Sequence, residues 1–169
     1  MKSSFYLKLN NLADTDKLGQ LIGRSCIGGE VIFLTGELGA GKTTLTQSIA
    51  KELGVQSSVS SPTFVMINEY QLADQNILAH IDLYRTGKID DVKSIGLDEL
   101  LGSKDVISIV EWPEKQPVIE SFGHIHLTLS RIGQKRQVLI ENHGEDEESL
   151  RLFETITRAC HSVLDTESI

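Results

Sequence analysis

Eight consecutive residues carry the pattern with the clearest chemistry: Gly36-Glu37-Leu38-Gly39-Ala40-Gly41-Lys42-Thr43, which match G-x-x-x-x-G-K-[ST] at every required position. The glycines allow successive backbone N–H groups to turn inward around phosphate oxygens, because no Cβ stands in the way. The ammonium of Lys42 can reach the β- and γ-phosphates, and the hydroxyl of Thr43 can ligate Mg²⁺. The pattern predicts that the chain binds a nucleoside triphosphate together with magnesium.

The segments on either side of this loop are those that a phosphate-binding loop needs. Val31–Leu34 is a short apolar run, which is typical of a strand buried on both faces. Lys42–Leu53 predicts an amphipathic helix, because apolar residues recur at i, i+4 and i+8. The N-terminus of that helix adds partial positive charge where the phosphates would lie. Strand, loop and helix therefore occur in the required order.

A carboxylate at the end of a neighbouring buried strand must hold the magnesium shell, and two acids compete for this role. Asp82 ends the largely apolar run Ile77–Asp82, and Glu111 follows the cleaner apolar run Val106–Val110. We assign Asp82 to magnesium, because Asp is the more usual partner of the metal. Glu111 is assigned to the positioning or activation of the attacking water, and it is also a candidate metal residue beside Thr43 and Asp82. The alternative for Glu111 is a surface acid at the start of a turn.

Other polar residues near this region have both a functional and a structural interpretation. Thr63, in Ser61-Pro62-Thr63, lies where many P-loop proteins have a switch that senses the γ-phosphate, and its hydroxyl could join the magnesium shell. A simple turn before a strand is the alternative. Arg85 is either a group that stabilises γ-phosphate charge or a surface residue. His80 is more often a packed histidine than a catalyst, and Trp112 either stacks near the base or covers the sheet edge.

Composition limits the class of protein. The chain has 169 residues and a net charge of −8, with 16 basic against 24 acidic residues and no dense basic run. Such a chain is not expected to bind RNA tightly on its own, although contact through a partner remains open. Two isolated cysteines predict neither a zinc site nor a disulfide framework. No apolar run is long enough to span a membrane and no signal peptide is visible, so we expect a cytoplasmic protein.

The remaining pattern predicts one α/β domain over residues 1–169. A strand is expected at Phe5–Leu9, and a helix N-capped by Asp14 is expected to run to about Arg24. Residues 124–130 and 136–142 both alternate in hydropathy and predict an antiparallel hairpin around residues 132–134. The other expected elements are strands at Phe64–Tyr70 and Ile77–Leu83, a short helix around Asp90–Leu101, and a last helix over about residues 146–164. Residues 165–169 are expected to fray.

Five segments together resemble a known family. They are GELGAGKTT, SSPTF followed by Tyr70, HIDLYR, IGLDELL and VEWPEK, and they occur here in the order seen in the TsaE (YjeE) family. The resemblance covers about Phe5 to Arg131. It implies a small bacterial P-loop ATPase required for threonylcarbamoyladenosine on tRNA, at the adenosine beside the anticodon. It also implies that the protein acts together with the proteins TsaD and TsaB and contacts tRNA through their complex. Its ATPase activity is then expected to be weak alone and to be stimulated by these partners.

The resemblance also implies a fold and residue roles. The fold is a P-loop NTPase-like three-layer sandwich with a mixed, partly antiparallel central sheet flanked by helices, consistent with the hairpin. The segment Gly36–Thr44 would cradle ATP or ADP, and Thr44 is counted among its binding residues. Asp82 would support Mg²⁺. Thr63 would belong to the first switch, and Glu111 with Trp112 would form an element near the nucleotide. The residues that would take part in hydrolysis are Lys42, Glu111 and Thr63. The sequence departs from the family pattern at Thr86-Gly87-Lys88.

Two other functions fit a short P-loop chain. A small-molecule kinase usually supplies several arginines that clamp the transferred phosphate, whereas only Arg85 lies between the P-loop and the Glu-Trp-Pro-Glu segment. A GTPase-like binding switch would carry D-x-x-G and N-K-x-D motifs after the P-loop, and neither is present. An ATPase whose nucleotide state changes its grip on a protein complex is therefore the main prediction.

Overall fold

A mixed eight-stranded β-sheet with the order β3-β4-β5-β2-β6-β7-β1-β8 forms the centre of the molecule. The computed structural model describes residues 3–62, 66–87 and 96–168. The strands are β1 Ser4–Leu9, β2 Val31–Thr35, β3 Ile67–Gln71, β4 Ile77–Asp82, β5 Val106–Glu111, β6 Ile125–Ile132, β7 Lys135–Asn142 and β8 Asp165–Ser168. The helices are α1 Leu12–Ser25, α2 Lys42–Glu52, α3 Leu97–Gly102 and α4 Glu147–Val163, with 3₁₀ turns at Pro113–Lys115 and Pro117–Ser121.

The pairing confirms the predicted mixed sheet. β2 lies between β5 and β6 and is parallel to both, and β4 is parallel to β5. The pairs β3–β4, β6–β7, β1–β7 and β1–β8 are antiparallel. Because β2, β4 and β5 run in one direction, their carboxyl ends meet at the same edge of the sheet, where ligands bind in open α/β sheets.

Side chains of β2 alternate between two cores, one on each face of the sheet. Ile32 and Leu34 belong to a core formed with apolar residues of α1, α2 and α4. Val31 and Phe33 belong to the other core, which includes residues of α3 and of the second 3₁₀ turn. Since successive side chains of a strand point to opposite faces, the two cores lie on opposite sides of the sheet. This arrangement confirms the predicted three layers.

The first helix begins earlier than the sequence pattern indicated. Asn11, and not Asp14, is the N-cap, because the Asn11 side chain accepts a hydrogen bond of 3.0 Å from the Asp14 backbone N–H. The carboxylate of Asp14 lies in the first turn and accepts a hydrogen bond of 2.8 Å from the Asn10 backbone N–H. Both side chains can satisfy helix-terminal amides, which explains why the sequence alone did not distinguish them. None of the helices in the described ranges combines the length and apolar character that crossing a membrane requires.

Three further boundaries differ from the sequence-based expectation. Asp165–Ser168, expected to fray, forms the edge strand β8, which pairs with β1 and so satisfies backbone groups that β1 would otherwise present to solvent. β3 begins at Ile67 and α3 at Leu97. Residues 63–65 and 88–95, on which parts of two predicted elements fall, lie outside the described residues. α4 begins at Glu147, close to the predicted start, and is N-capped by Asp146.

Candidate nucleotide-binding site

The glycine turn that follows β2 requires glycine at specific places. Gly36 has φ of 149°, and a Cβ built on it would lie 2.4 Å from the carbonyl oxygen of Leu129 in β6. Gly41, the residue before α2, has φ of 107° in the left-handed region. Residues with a Cβ rarely adopt either conformation. The backbone therefore turns closely against β6 before it enters the helix.

A Gly36→Ala variant is expected to lose roughly 1–3 kcal/mol of unfolding free energy, because the added methyl group meets a backbone oxygen at a backbone angle that alanine disfavours. Urea unfolding of both proteins measures this loss. Gly87→Ala is the matched control, since a Cβ at Gly87 meets no atom within 4 Å, and its effect should stay within about 0.5 kcal/mol. Equal stability of the two variants would contradict the close approach.

The N-terminus of α2 faces the loop as an anion-binding end. Gly41 is the N-cap, and no side chain of the described residues caps the helix there. The first turn of α2 also contains no acidic residue. The first amide N–H groups of a helix have no partner within the helix, and the helix dipole adds partial positive charge. This end of α2 therefore fits a phosphate group.

Lys42 is the first residue of α2, and its side chain lies inside the loop. It is 5% exposed, and its Nζ donates hydrogen bonds to the carbonyl oxygens of Gly36 and Glu37, the latter at 3.0 Å. Nζ also lies 3.8 Å from the centre of the Trp112 ring, a distance suited to a cation–π contact. Burial lowers the pKa of Lys42, and the negative charges of Glu111, Glu114 and Asp82 oppose that shift.

Glu111 joins the strand ends to the loop. It is 2% exposed and is the register partner of Asp82 in the parallel pair β4–β5. The Thr43 hydroxyl donates a hydrogen bond of 3.1 Å to its Oε2, and the imidazole Nε2 of the fully buried His80 lies 2.8 Å from its Oε1. His80, which we expected to be a packed histidine, is packed and also orients this carboxylate. Glu111 therefore lies beside the start of α2, next to the glycine turn.

Asp82 lies beside Glu111 and connects to the segment before residue 63. The Ser61 hydroxyl donates a hydrogen bond of 2.7 Å to Asp82 Oδ2, and the Tyr84 backbone N–H donates one of 2.9 Å to Oδ1. Ser61 thereby links the expected first switch to the expected magnesium ligand. Thr63 itself lies outside the described residues.

These groups surround one cleft with a volume of about 460 Å³. Its lining includes most of the predicted site: Leu38, Gly39, Gly41, Lys42, Thr43, Thr44, Asp82, Glu111 and Trp112, together with Arg85. Gly36, Glu37 and Ala40 instead support the loop through their carbonyl oxygens, which accept hydrogen bonds from Lys42 and Arg136. The cleft is lined by basic side chains and by the glycine turn, so it can hold an anionic ligand, with Trp112 beside Lys42.

Sequence reasoning missed three residues of the cleft: Ser61 as a partner of Asp82, Tyr84 and Arg136. Arg136 belongs to β7, and its Nε donates a hydrogen bond of 3.0 Å to the carbonyl oxygen of Ala40. Tyr84 lies with its ring centre 4.9 Å from that of Trp112. The Tyr-Arg pair inside HIDLYR was a usable signal for Tyr84, whereas nothing in the local sequence marks Arg136.

The oxygen donors at the cleft suit magnesium. The Thr43 hydroxyl and the carboxylates of Asp82 and Glu111 are hard ligands, which Mg²⁺ prefers over nitrogen or sulfur. Basic groups, namely Lys42, Arg85 and Arg136, line the same cleft and complement phosphate charge. The residues present therefore fit a magnesium–triphosphate pair.

Comparisons with known proteins give one consistent family. The family model described as threonylcarbamoyl adenosine biosynthesis protein TsaE matches residues 9–138. A tRNA threonylcarbamoyladenosine biosynthesis protein TsaE from Streptomyces coelicolor is 41% identical over 100 residues, which are 58% of this chain and 66% of that protein. One from Synechocystis is 36% identical over 123 residues, 71% of this chain and 77% of that protein.

A solved structure has a fold similar to that of this chain. The crystal structure of Bacillus subtilis YdiB has a TM-score of 0.75 and 28% identity to this chain, and the match covers 94% of this chain and 97% of YdiB. The matched family region contains the glycine turn, Asp82, Glu111 and Trp112. The chain therefore belongs to the TsaE family of threonylcarbamoyl adenosine biosynthesis proteins.

Proposed function

We propose that this chain binds ATP with Mg²⁺ and hydrolyses it as a component of the machinery that forms threonylcarbamoyladenosine on tRNA. The observation that carries the proposal is one cleft in which a glycine turn, Lys42 and a Thr43–Glu111 hydrogen bond meet at the ends of parallel strands. The names of the relatives indicate the pathway, and the residues of the cleft indicate the chemistry.

Each group at the cleft has a role in this proposal. Loop amides and Lys42 bind the β- and γ-phosphates, which requires Nζ to exchange its carbonyl partners for phosphate oxygens. Thr43 and Asp82 hold Mg²⁺, which neutralises phosphate charge when it is bound. Glu111, oriented by His80, positions the attacking water. Trp112 covers the loop beside the nucleotide.

In this proposal ATP hydrolysis returns a protein complex to its starting state after each transfer. The γ-phosphate is released and is not transferred to a metabolite, as it would be by a kinase. TsaD and TsaB are the proposed partners, and tRNA is contacted through them, because a chain of net charge −8 neutralises few phosphates on its own. The Ser61–Asp82 hydrogen bond supports nucleotide-dependent signalling, since it ties the segment before residue 63 to the proposed metal ligand. A change in the metal shell would therefore reach this segment directly.

The first experiment uses the single tryptophan of the chain as a probe. Trp112 contacts Lys42, so ATP with Mg²⁺ should change its fluorescence saturably, because bound phosphate withdraws the ammonium from the ring. GTP titrated in parallel tests the GTPase-like alternative. No saturable signal with ATP, confirmed by calorimetry, would overturn nucleotide binding at this cleft.

The second experiment is a reconstitution with TsaD, TsaB, tRNA and threonylcarbamoyl-adenylate. We expect slow release of inorganic phosphate from the chain alone and faster release with both partners, together with repeated turnover of modified tRNA. Equal hydrolysis with and without the partners would contradict the proposed coupling. Transfer of the γ-phosphate to a small molecule, instead of its release, would identify a kinase.

A further inference from the structure

Three of the five histidines of the chain come together away from the nucleotide cleft. His124 and His126 lie at the start of β6, and His143 follows β7, its backbone N–H donating a hydrogen bond of 2.9 Å to the His124 carbonyl oxygen. One potential ligand nitrogen of each imidazole lies within 4.8 Å of the other two. The ring of Phe33 stacks on His124 with 3.9 Å between ring centres. We refer to these three histidines as the histidine cluster.

The spacing of the cluster is close to that of a metal site. For three atoms that lie within 4.8 Å of one another, some point lies within about 2.8 Å of all three, and Zn–N bonds measure about 2.0–2.1 Å. Rotations of the imidazoles that move each nitrogen by less than about 1 Å would bring them to bonding distance. His124 is 1% exposed, whereas His126 and His143 are half-buried, so the cluster has a solvent route on one side.

Two of the three histidines, His124 and His126, have a ring nitrogen beside a polar group of the kind that orients metal ligands. His124 Nδ1 lies 2.7 Å from the Phe122 carbonyl oxygen, and since a carbonyl only accepts, Nδ1 carries the proton and Nε2 carries the lone pair. His126 Nε2 lies 2.7 Å from the Thr35 hydroxyl. The Nε2 of His143 lies 3.7 Å from the carboxylate of Glu141, which is too far for a hydrogen bond. Such outer partners fix the ring and raise its basicity in metal sites.

We propose that His124, His126 and His143 bind a divalent transition metal of the zinc class, at a site separate from the proposed magnesium site. The donor atoms distinguish the two, because imidazole nitrogens select Zn²⁺, Co²⁺ or Ni²⁺ whereas the oxygen donors of the cleft select Mg²⁺. Three protein ligands leave a fourth position for water.

The thiols of the chain do not compete for this metal. Burial raises the pKa of Cys160 to about 12, and burial and the charge of Glu30 raise the pKa of Cys26 well above its ordinary value. Metal binding requires the thiolate, so both buried sulfurs stay protonated and poor as ligands at neutral pH. The spacing of the cysteines predicted no zinc site, and that prediction did not consider ligands made only of histidines.

The cluster also contacts the nucleotide loop through one residue. Thr35, which bonds to His126, is the last residue of β2 and immediately precedes Gly36. A metal on His126 Nδ1 makes Nε2–H the donor to the Thr35 hydroxyl oxygen, so the bound ion fixes the direction of this hydrogen bond. The site is thus placed to stabilise the point at which the chain leaves the sheet.

The test is a titration of the full chain with Co²⁺, which reports four-coordinate nitrogen ligation by its visible absorption, at pH 7.5 and without nucleotide. We expect one Co²⁺ per chain, displaced by Zn²⁺ and unaffected by excess Mg²⁺. His143→Gln and His126→Gln should weaken binding more than about 100-fold, because loss of an outer partner alone costs 10–100-fold. His161→Gln is the matched control, since His161 is exposed on α4 and lies outside the cluster.

Two results would overturn the proposal. One is absence of stoichiometric Co²⁺ binding to the native chain, and the other is unchanged binding in His143→Gln. Circular dichroism of each variant without metal identifies any that fails to fold, and His143, whose side chain is 22% exposed, is the position most tolerant of change. The Co²⁺ titration uses no nucleotide, so absence of Co²⁺ binding would not contradict the proposed ATPase function. In the same way, absence of ATP binding would not contradict the metal site.

Discussion

Lys42→Ala is expected to weaken binding of ATP with Mg²⁺ at least about 100-fold, because a hydrogen bond from a charged donor contributes roughly 1.5–3 kcal/mol and Lys42 is proposed to reach two phosphates. The side chain is almost fully buried and already turned into the loop, where it donates hydrogen bonds to two backbone carbonyls. Trp112 fluorescence and calorimetry measure the affinity. ATP hydrolysis and turnover of tRNA modification should fall with it.

The control for this variant is Lys51→Ala, which removes an exposed lysine from the last turn of the same helix. It should leave ATP affinity within a factor of about two, since its charge lies several turns from the phosphates. Thermal unfolding separates a folding defect of Lys42→Ala from a binding defect. Native-like ATP affinity in a folded Lys42→Ala protein would contradict the phosphate-binding role of the loop.

Glu111→Gln is expected to reduce the rate of ATP hydrolysis about 10²–10⁴-fold while ATP affinity changes little, because a positioned general base contributes that much to a proton transfer. Glutamine keeps the shape of the side chain and offers an oxygen to Thr43, so packing in this buried place is preserved. Single-turnover release of inorganic phosphate measures the chemical step, apart from product release. Titration with Mg²⁺ in the same assay distinguishes water positioning from metal ligation, since loss of a ligand raises the magnesium requirement.

Glu120→Gln is the matched control, because Glu120 is an exposed acid in the second 3₁₀ turn. Its hydrolysis rate should equal that of the native chain. If Glu111→Gln hydrolyses ATP at nearly the native rate, Glu111 serves only to hold Thr43 and His80 in place. The attacking water would then need another partner in the cleft.

The parts of the site that the sequence predicted are those in which neighbours along the chain carry the chemistry. The glycine turn, Lys42 and Thr43 are contiguous, so their geometry follows from local backbone rules. Asp82 and Glu111 were predicted because each ends an apolar strand, and parallel strands bring their ends together. The sheet of mixed direction was implied by family resemblance and by the alternating hairpin.

The parts that the sequence could not predict depend on contacts between distant segments. Arg136 reaches the loop only because β7 pairs with β6, which in turn pairs with β2. The histidine cluster forms because β6 and the end of β7 lie side by side. The pairing of Asp165–Ser168 with β1 joins the two ends of the chain, and the polar pattern of that segment did not indicate a strand. The strand propensity of a segment does not determine which edge of the sheet it pairs with.

The position of β2 between β5 and β6 has a consequence for synthesis of the protein. The strand β2, which leads into the glycine turn, leaves the ribosome before either of its neighbours, because β5 and β6 are made more than 70 residues later. Strand pairings between segments so far apart in sequence form slowly, because the long loop between them must close before the pairing adds stability. A nascent chain will therefore complete its ligand pocket only after β6 has been made, and truncations that stop before β6 are expected to expose an incomplete sheet to chaperones and proteases.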